Sequence, residues 1–261
     1  MHTTRSIRPS SAILTLSAMV TLIFAGATAH AKAGRNPARE SGATALPAQA
    51  GYTVQQVAGG TIQGKLLYVG KPVRPERVTV TLNQSACGNF KEIYPIRVEQ
   101  GGVVGAVVWL DNVTHGKAFA FPNPVLDQKK CMFVPSVVLM KPGKLEVKNS
   151  DPVTHNIHIY ARYNRASNHM MAPGSSPVEL TLMRPETIMV RCDIHPWMHG
   201  YIVVAKNPYY AISQAGGAFS LTDVPPGTYQ LKVWQKKIGT KVQQVTVQAG
   251  KTTTVNFKLG S

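Results

Sequence analysis

The chain has 261 residues and a mass of 28.2 kDa, enough for one large domain or two small ones. Hydrophobic residues make up 44% of it, which excludes a wholly disordered chain, and three cysteines are too few for a disulfide-built miniprotein. The net charge of +16 is spread along the sequence and forms no basic stripe interleaved with aromatic residues. We therefore expect no nucleic-acid binding, and a partner with an acidic surface.

Residues 1–31 have the features of a secretory signal peptide. Arg5 and Arg8 precede an apolar stretch at residues 12–27, and small residues lead up to Ala31. The stretch is shorter than the ~20 residues that span a bilayer. We expect cleavage after Ala31, a periplasmic or secreted location and no membrane span in the mature chain, with an uncleaved anchor as the alternative.

The rest of the sequence predicts a flexible leader followed by β-strands. Residues 32–58 are rich in Ala, Gly, Pro and Gln without a sustained period, which predicts the leader. Further on, apolar and polar residues alternate with the period of half-buried strands. The segments with this alternation are 78–82, 229–233 and 254–259. Short apolar runs at 103–110 and 201–204 also suit strands, and no window carries a helical stripe. The predicted class is all-β, with a Greek-key sandwich.

Candidate metal ligands lie between residues 150 and 200. Cys192, His195 and Met198 follow the pattern Cys-x2-His-x2-Met, and His155 and His158 precede them on a separate predicted strand. One thiolate, two imidazoles and a weak thioether are the ligands of a type 1 copper site. Zinc is the alternative ion, but Met198 would be a poor fourth ligand for it.

Strand periodicity distinguishes the two upstream histidines. His155 shares one face of its predicted strand with Ile157 and Ile159, whereas His158 points to the other side. Cys192 likewise shares one face of its predicted strand with Val190 and Ile188. We therefore predict His155, and not His158, as the ligand.

These segments resemble the cupredoxins, and most closely those of the amicyanin type. The resemblance rests on residues 132–156, with a Lys-Pro-Gly turn and the His155-Asn156 pair, and on residues 190–204, with the Cys-x2-His-Pro-x-Met loop. It implies a Greek-key sandwich over residues 103–205 that holds one copper ion. The ligands that it implies are His155, Cys192, His195 and Met198.

The resemblance also implies roles for two neighbours of the ligands. Asn156 would brace the cysteine loop through a hydrogen bond. Trp197 would add to an apolar patch around an exposed edge of His195, through which electrons would pass to a partner.

The sequence before Cys192 disfavours a copper enzyme. Arg191 stands where multicopper oxidases and copper nitrite reductases have a histidine, and the chain has no His-x-His pair. We expect a non-enzymatic electron carrier with an acidic redox partner, such as a c-type cytochrome or an oxidoreductase subunit. The alternatives are a copper storage or delivery protein, and a surface docking protein with a non-essential metal site.

The two other cysteines, Cys87 and Cys131, are expected to form a disulfide. Outside the cytoplasm, and with Cys192 assigned to the metal, they are the natural pair. Two unpaired buried thiols are the alternative.

The regions flanking the predicted copper domain resemble a carboxypeptidase regulatory-like, transthyretin-like module. Residues 216–229 and 244–259 carry its Gly-Gly, Pro-Pro-Gly and alternating patterns, and residues 59–100 contain a strand–turn–strand pattern typical of its opening. Two arrangements remain open. The copper domain is inserted into a sandwich split between 59–100 and 207–261, or residues 207–261 form a separate appended module.

Overall fold

The structure is a computed structural model that describes residues 51–260. The predicted signal peptide and residues 32–50 of the predicted leader lie outside this range. Within it, no helix is long and apolar enough to cross a membrane.

The described residues form short strands, one four-residue helix, α1 (Gln84–Cys87), and one 3-10 turn (Ala215–Gly217). The strands in chain order are β1 (Thr53–Val54), β2 (Gly60–Tyr68), β3 (Glu76–Thr79), β4 (Phe90–Ile93), β5 (Arg97–Glu99), β6 (Gly102–Val104), β7 (Val107–Leu110), β8 (His115–Gly116), β9 (Val125–Gln128), β10 (Phe133–Val134), β11 (Val137–Met140), β12 (Gly143–Asn149), β13 (His155–Tyr160), β14 (Ser167–Met171), β15 (Val178–Leu182), β16 (Glu186–Arg191), β17 (His199–Val204), β18 (Tyr210–Ile212), β19 (Ala218–Val224), β20 (Gly227–Gln235), β21 (Gly239–Val247), β22 (Thr252–Thr254) and β23 (Phe257–Leu259). The prediction of an all-β fold is confirmed.

Strands β9 to β17 form the inner sandwich. One sheet has the order β10-β9-β12-β15, and the other has the order β11-β17-β16-β13-β14. Alternate residues of both sheets point inward, and Leu145, Ile157 and Ile188 are fully buried between them. This core supports the strands that carry the candidate ligands.

The outer sandwich is formed by strands that precede and strands that follow the inner sandwich in the sequence. Its sheets have the orders β18-β7-β20-β21 and β19-β2-β6-β5, and β22 and β23 also pair with β2. Ile62, Leu110 and Leu231 are among the fully buried residues of its separate core. Residues 103–110, which we expected in the copper domain, supply β6 and β7 to this sandwich. Alternation predicts a strand but not the sheet that it joins, so the expected boundary at residue 103 is wrong.

The chain leaves the outer sandwich and returns to it at neighbouring points. The Leu110 backbone N–H donates to the Tyr209 carbonyl (3.1 Å), and the Asn207 side-chain amide donates to the Leu110 carbonyl (2.9 Å). The inner sandwich is therefore inserted between two adjacent positions of the outer sandwich.

Gly217 and Gly102 are required by a close approach of backbones. Gly217 has a φ of 73°, and a β-carbon there would lie 2.4 Å from the Leu66 carbonyl oxygen. A β-carbon on Gly102 would lie 2.0 Å from the Gly216 carbonyl carbon. Only glycine allows the 3-10 turn to pack this closely on β2 and β6.

The end of the predicted leader is ordered. Tyr52 is buried and its hydroxyl donates to the Lys117 carbonyl (2.7 Å), while β1 pairs in parallel with β8. The expectation of flexibility is therefore wrong for residues 52–54, because one aromatic anchor holds a segment whose composition is otherwise typical of a linker.

Residues 76–93 form a small unit that we call the cap, built from β3, α1 and β4. Strands β3 and β4 pair only with each other. Val80 and Cys87 are nevertheless buried in the core cluster of the inner sandwich, with Val78 and Ile93 packed beside them. The cap thus lies between two strands of the outer sandwich in the sequence, but it packs against the inner sandwich in the folded protein.

Candidate metal site

The first candidate ligand, His155, begins strand β13. Its side chain is fully buried, on the same face as Ile157 and Ile159, which are 0% and 1% exposed. His158 lies on the opposite face, with a third of its side chain exposed. The structure therefore places His155 inside the inner sandwich and His158 outside it.

The other three candidates lie on the loop between β16 and β17. The Cys192 backbone N–H donates to the Met198 carbonyl (3.0 Å), and the Met198 N–H donates to the His195 carbonyl (2.8 Å). These two bonds close the loop tightly, and all three side chains are buried.

Donor atoms of His155, Cys192 and His195 surround one small space. The two Nδ1 atoms are 2.9 Å apart, and Cys192 Sγ is 3.7 Å from Nδ1 of His195. All three donor atoms lie within 4.8 Å of one another. Three of the four ligands predicted from the sequence, His155, Cys192 and His195, are thus brought together in a geometry that a metal ion could join.

Asp151 sets the tautomer of His155. Its carboxylate lies 2.9 Å from His155 Nε2 and accepts backbone N–H bonds from Lys130 (2.6 Å) and Cys131 (2.7 Å). A carboxylate at this distance accepts a hydrogen bond from Nε2–H, which leaves the Nδ1 lone pair directed at the site. Sequence analysis missed Asp151, although its position four residues before His155 was a signal.

Asn83 does the same for His195 from a distant part of the chain. Its side-chain oxygen lies 3.0 Å from His195 Nε2, so that nitrogen donates and Nδ1 again faces the site. Asn83 lies within the cap, directly before α1, and 112 positions before His195. No local pattern in the sequence could have indicated this contact.

The side chain of Asn156 connects the cysteine to its loop. Its oxygen accepts hydrogen bonds from the Cys192 thiol (3.3 Å) and the Asp193 backbone N–H (2.7 Å). These are contacts of the kind that the cupredoxin resemblance implied for this residue.

The expected exposed edge of His195 is absent, and this is a correction. His195 is 0% exposed, with Asn83 against its Nε2 and Cys87 Sγ 4.0 Å from the same atom. Trp197 is 5% exposed, its ring centroid is 5.2 Å from that of His195, and its indole N–H donates to the Cys131 carbonyl (3.0 Å). The cap covers the imidazole, so neither side chain forms a surface patch there.

The disulfide expected between Cys87 and Cys131 is present. It joins α1 of the cap to the loop that precedes β10. Because Asn83 lies in the cap and Asp151 binds the backbone of Lys130 and Cys131, the bridge links the supports of both imidazoles.

Burial lowers the pKa values of both histidines. Desolvation lowers the pKa of His155 despite Asp151, and desolvation together with the neighbouring His155 lowers the pKa of His195 to about 4. Unfolded histidine titrates near 6.5, so acid protonates the unfolded chain first. We expect the metal-free protein to lose stability as the pH falls from about 6.5 towards 4, by up to about 1.4 kcal/mol per pH unit for each histidine.

Urea unfolding of the metal-free protein between pH 7 and 4 measures this loss. A His195→Gln variant should show a shallower dependence on pH than the parent chain. Equal slopes in the two proteins would contradict the assignment of the effect to His195.

Comparisons with known proteins agree with the two-sandwich architecture only in part. The family model for the carboxypeptidase regulatory-like domain matches residues 198–260. No curated protein matches the chain.

Similar solved structures are copper proteins, and the similarity is weak. A copper-containing nitrite reductase from Thermus scotoductus is 21% identical over 34% of this chain and 24% of its own, with a TM-score of 0.30. A purple cupredoxin from Nitrosopumilus maritimus is 18% identical over 32% and 100%, with a TM-score of 0.28. Amicyanin from Paracoccus versutus is 20% identical over 33% and 84%, with a TM-score of 0.29. The chain thus spans about a quarter of the nitrite reductase that it matches.

Proposed function

We propose that the chain is a type 1 copper protein that carries single electrons between redox partners. The observation that supports this most directly is the pair of Nδ1 atoms 2.9 Å apart. Asp151 and Asn83 are each placed to accept a hydrogen bond from an Nε2–H group, so that both Nδ1 atoms and the sulfur of Cys192 face one space. Two imidazole nitrogens at this distance need a proton or a cation between them, and a metal ion bound to both would fill that role.

The donor set favours copper over zinc. Thiolate and imidazole bind either ion, but a thioether is a ligand for copper and a poor one for zinc. Met198 is fully buried and its loop is closed on Cys192 and His195, which supports a thioether as the fourth ligand.

Copper in such a site supplies one-electron chemistry by alternating between Cu(II) and Cu(I). The residues of this chain hold the ligands still and exclude water during that change. His155, His195 and Met198 are fully buried and Cys192 is 2% exposed. With four ligands assigned and no opening to solvent at them, the proposed role is electron transfer rather than catalysis.

The location and the partner are part of the same proposal. A chain with a signal peptide and a disulfide suits the periplasm or secretion. Without Arg5 and Arg8 of the predicted signal peptide, its net charge falls from +16 to +14, and this charge suits an acidic redox protein, whose approach would be accelerated by electrostatic attraction.

A Cu(II) titration followed by visible and EPR spectroscopy tests the proposed function. We expect one equivalent of copper to produce an intense thiolate-to-copper band with narrow hyperfine splitting. Cys192→Ser should abolish the band because it removes the thiolate, whereas His158→Gln, the matched control on the outer face of β13, should keep it. A colourless protein would refute the type 1 site.

Cyclic voltammetry of the same sample distinguishes electron transfer from copper storage or delivery. Reversible one-electron reduction with copper retained supports a carrier. Loss of the ion on reduction favours the storage or delivery alternative.

A further inference from the structure

The cap closes one side of the candidate metal site to partners. His195 is fully buried behind Asn83 and the Cys87–Cys131 disulfide. Because electron transfer weakens steeply with distance, a partner needs another surface close to a ligand. This inference rests on the proposed electron-transfer function.

A short hydrogen-bonded path leads from Cys192 to solvent on a different side. The Cys192 thiol donates to Asn156 Oδ1 (3.3 Å), and Asn156 Nδ2 donates to Asp193 Oδ2 (2.8 Å). The Asp193 side chain is 47% exposed. Copper binding would remove the thiol proton, so the hydrogen bond to Asn156 belongs to the metal-free protein. Asp193 directly follows Cys192 in the chain, and this covalent link between the sulfur ligand and a surface carboxylate remains when the thiol is deprotonated.

Asp193 belongs to an ordered group of side chains. It accepts a hydrogen bond from Asn168 Nδ2 (2.8 Å) and lies 3.1 Å from His158 Nδ1. The His158 ring stacks on Tyr160 with centroids 4.2 Å apart. The carboxylate is thus held in place by its neighbours, and the outer end of the path from Cys192 is fixed.

These residues lie on the solvent-facing side of the five-stranded sheet of the inner sandwich. Cross-strand pairing places Asn168 and Arg191 on either side of His158, and Met170 opposite Asn156. We call this surface the thiol-side patch, and its members are His158, Tyr160, Asn168, Met170, Arg191 and Asp193. Met170 is 68% exposed and Tyr160 is 41% exposed, so the patch offers apolar contact area.

Arginines outnumber carboxylates around the patch. Arg162, Arg165 and Arg191 are exposed, and none of them forms an ion pair with a carboxylate of the described residues. Asp193 accepts hydrogen bonds from the amides of Asn156 and Asn168, and Glu186 from the backbone N–H groups of residues 162–164, and both keep their negative charge. Three arginines against two carboxylates leave a basic rim around the patch, which with the apolar area of Met170 and Tyr160 is complementary to an acidic protein surface.

We propose that the thiol-side patch is the docking surface for an acidic electron-carrier protein, and that the electron passes between this partner and Cys192 by way of Asp193, the next residue in the chain. One electron is exchanged in each encounter. The partner is oxidised as the site is reduced, or the reverse, and no covalent bond forms or breaks. The basic rim accelerates the encounter, and added salt weakens this effect.

Hexacyanochromate(III) tests the docking surface without copper. This trivalent anion does not exchange electrons under these conditions and broadens the NMR signals of nuclei near which it binds. In the metal-free full chain we expect broadening of the amide signals of Asn168, Met170 and Asp193. Broadening confined to residues 83–88 of the cap, or no selective broadening, would overturn the proposal.

Electron transfer tests the path with a matched pair of variants. Met170→Glu puts a negative charge in the patch, and Leu82→Glu puts the same charge on an exposed leucine of the cap, which is 49% exposed. With hexacyanoferrate(III) as oxidant of the reduced copper protein at low salt, we expect Met170→Glu to lower the rate constant about three- to tenfold and Leu82→Glu to leave it nearly unchanged. The opposite ranking would show that electrons leave through the cap.

The two proposals fail in different ways. A missing thiolate-to-copper band refutes the copper site, whereas the hexacyanochromate map does not depend on copper. A normal band with no effect of Met170→Glu on the rate refutes the docking surface alone.

Discussion

Replacing Cys87 and Cys131 with serine is expected to lower the free energy of unfolding by about 2–5 kcal/mol. The bridge closes a loop over a sequence separation of 44, and its loss frees the unfolded chain. It also removes the covalent link between the cap and the inner sandwich. Urea denaturation of the metal-free protein measures the change.

The same double variant should make His195 reactive. With the bridge removed, the cap is held mainly by the packing of Val80 and its neighbours, so Asn83 no longer shields the imidazole permanently. Modification by diethyl pyrocarbonate, located by peptide mass spectrometry, reports this exposure. The parent chain with its intact bridge, treated in the same way, is the control. Unchanged stability and an unreactive His195 would contradict the role given to the bridge.

Asp151→Asn is expected to weaken copper binding about 10- to 100-fold. The carboxylate accepts three N–H hydrogen bonds, from His155 Nε2 and from the backbone of Lys130 and Cys131. An amide offers one oxygen and one NH2 group, so it cannot replace all three acceptor interactions. The His155 ring is then free to turn its Nδ1 lone pair away from the other donors.

Competition with a chelator of known copper affinity measures the effect, on samples shown by near-UV circular dichroism to be folded. Asp127→Asn is the matched control, since Asp127 bonds Ser150 and no imidazole of the described residues. Equal copper affinities for the two variants would show that Asp151 does not orient the ligand.

Local patterns predicted the strands and the sides to which the candidate ligands point. A period of two placed His155 with Ile157 and Ile159, and Cys192 with the buried face of β16, because pleating alone determines which face a residue occupies. The same patterns predicted neither the partners of β6 and β7 nor the burial of His195. Sheet partners depend on which surfaces meet in the folded chain, and the Asn83–His195 contact joins residues 112 positions apart.

Asp151 represents an intermediate case. The sequence predicted His155, four residues further on, as a ligand. The role of Asp151 follows only from the structure, in which the backbone N–H groups of Lys130 and Cys131 donate to its carboxylate. A carboxylate near a predicted ligand is common in sequences. Its geometry, with both oxygens occupied by N–H donors, is what identifies its role.

The contact between Leu110 and Asn207 affects the order in which the two sandwiches fold. The strands of the inner sandwich are contiguous in sequence, whereas the outer sandwich joins partners as distant as Lys65 and Asn256, which are 191 positions apart. Contacts between distant residues form slowly because a long loop must close first. Once the inner sandwich has folded, Leu110 and Asn207, which are 97 positions apart along the chain, are already neighbours. The folded inner sandwich then acts like a short loop between the two parts of the outer sandwich. Early folding of the copper-binding unit would in this way reduce the entropy that the outer sandwich loses when it closes around both ends.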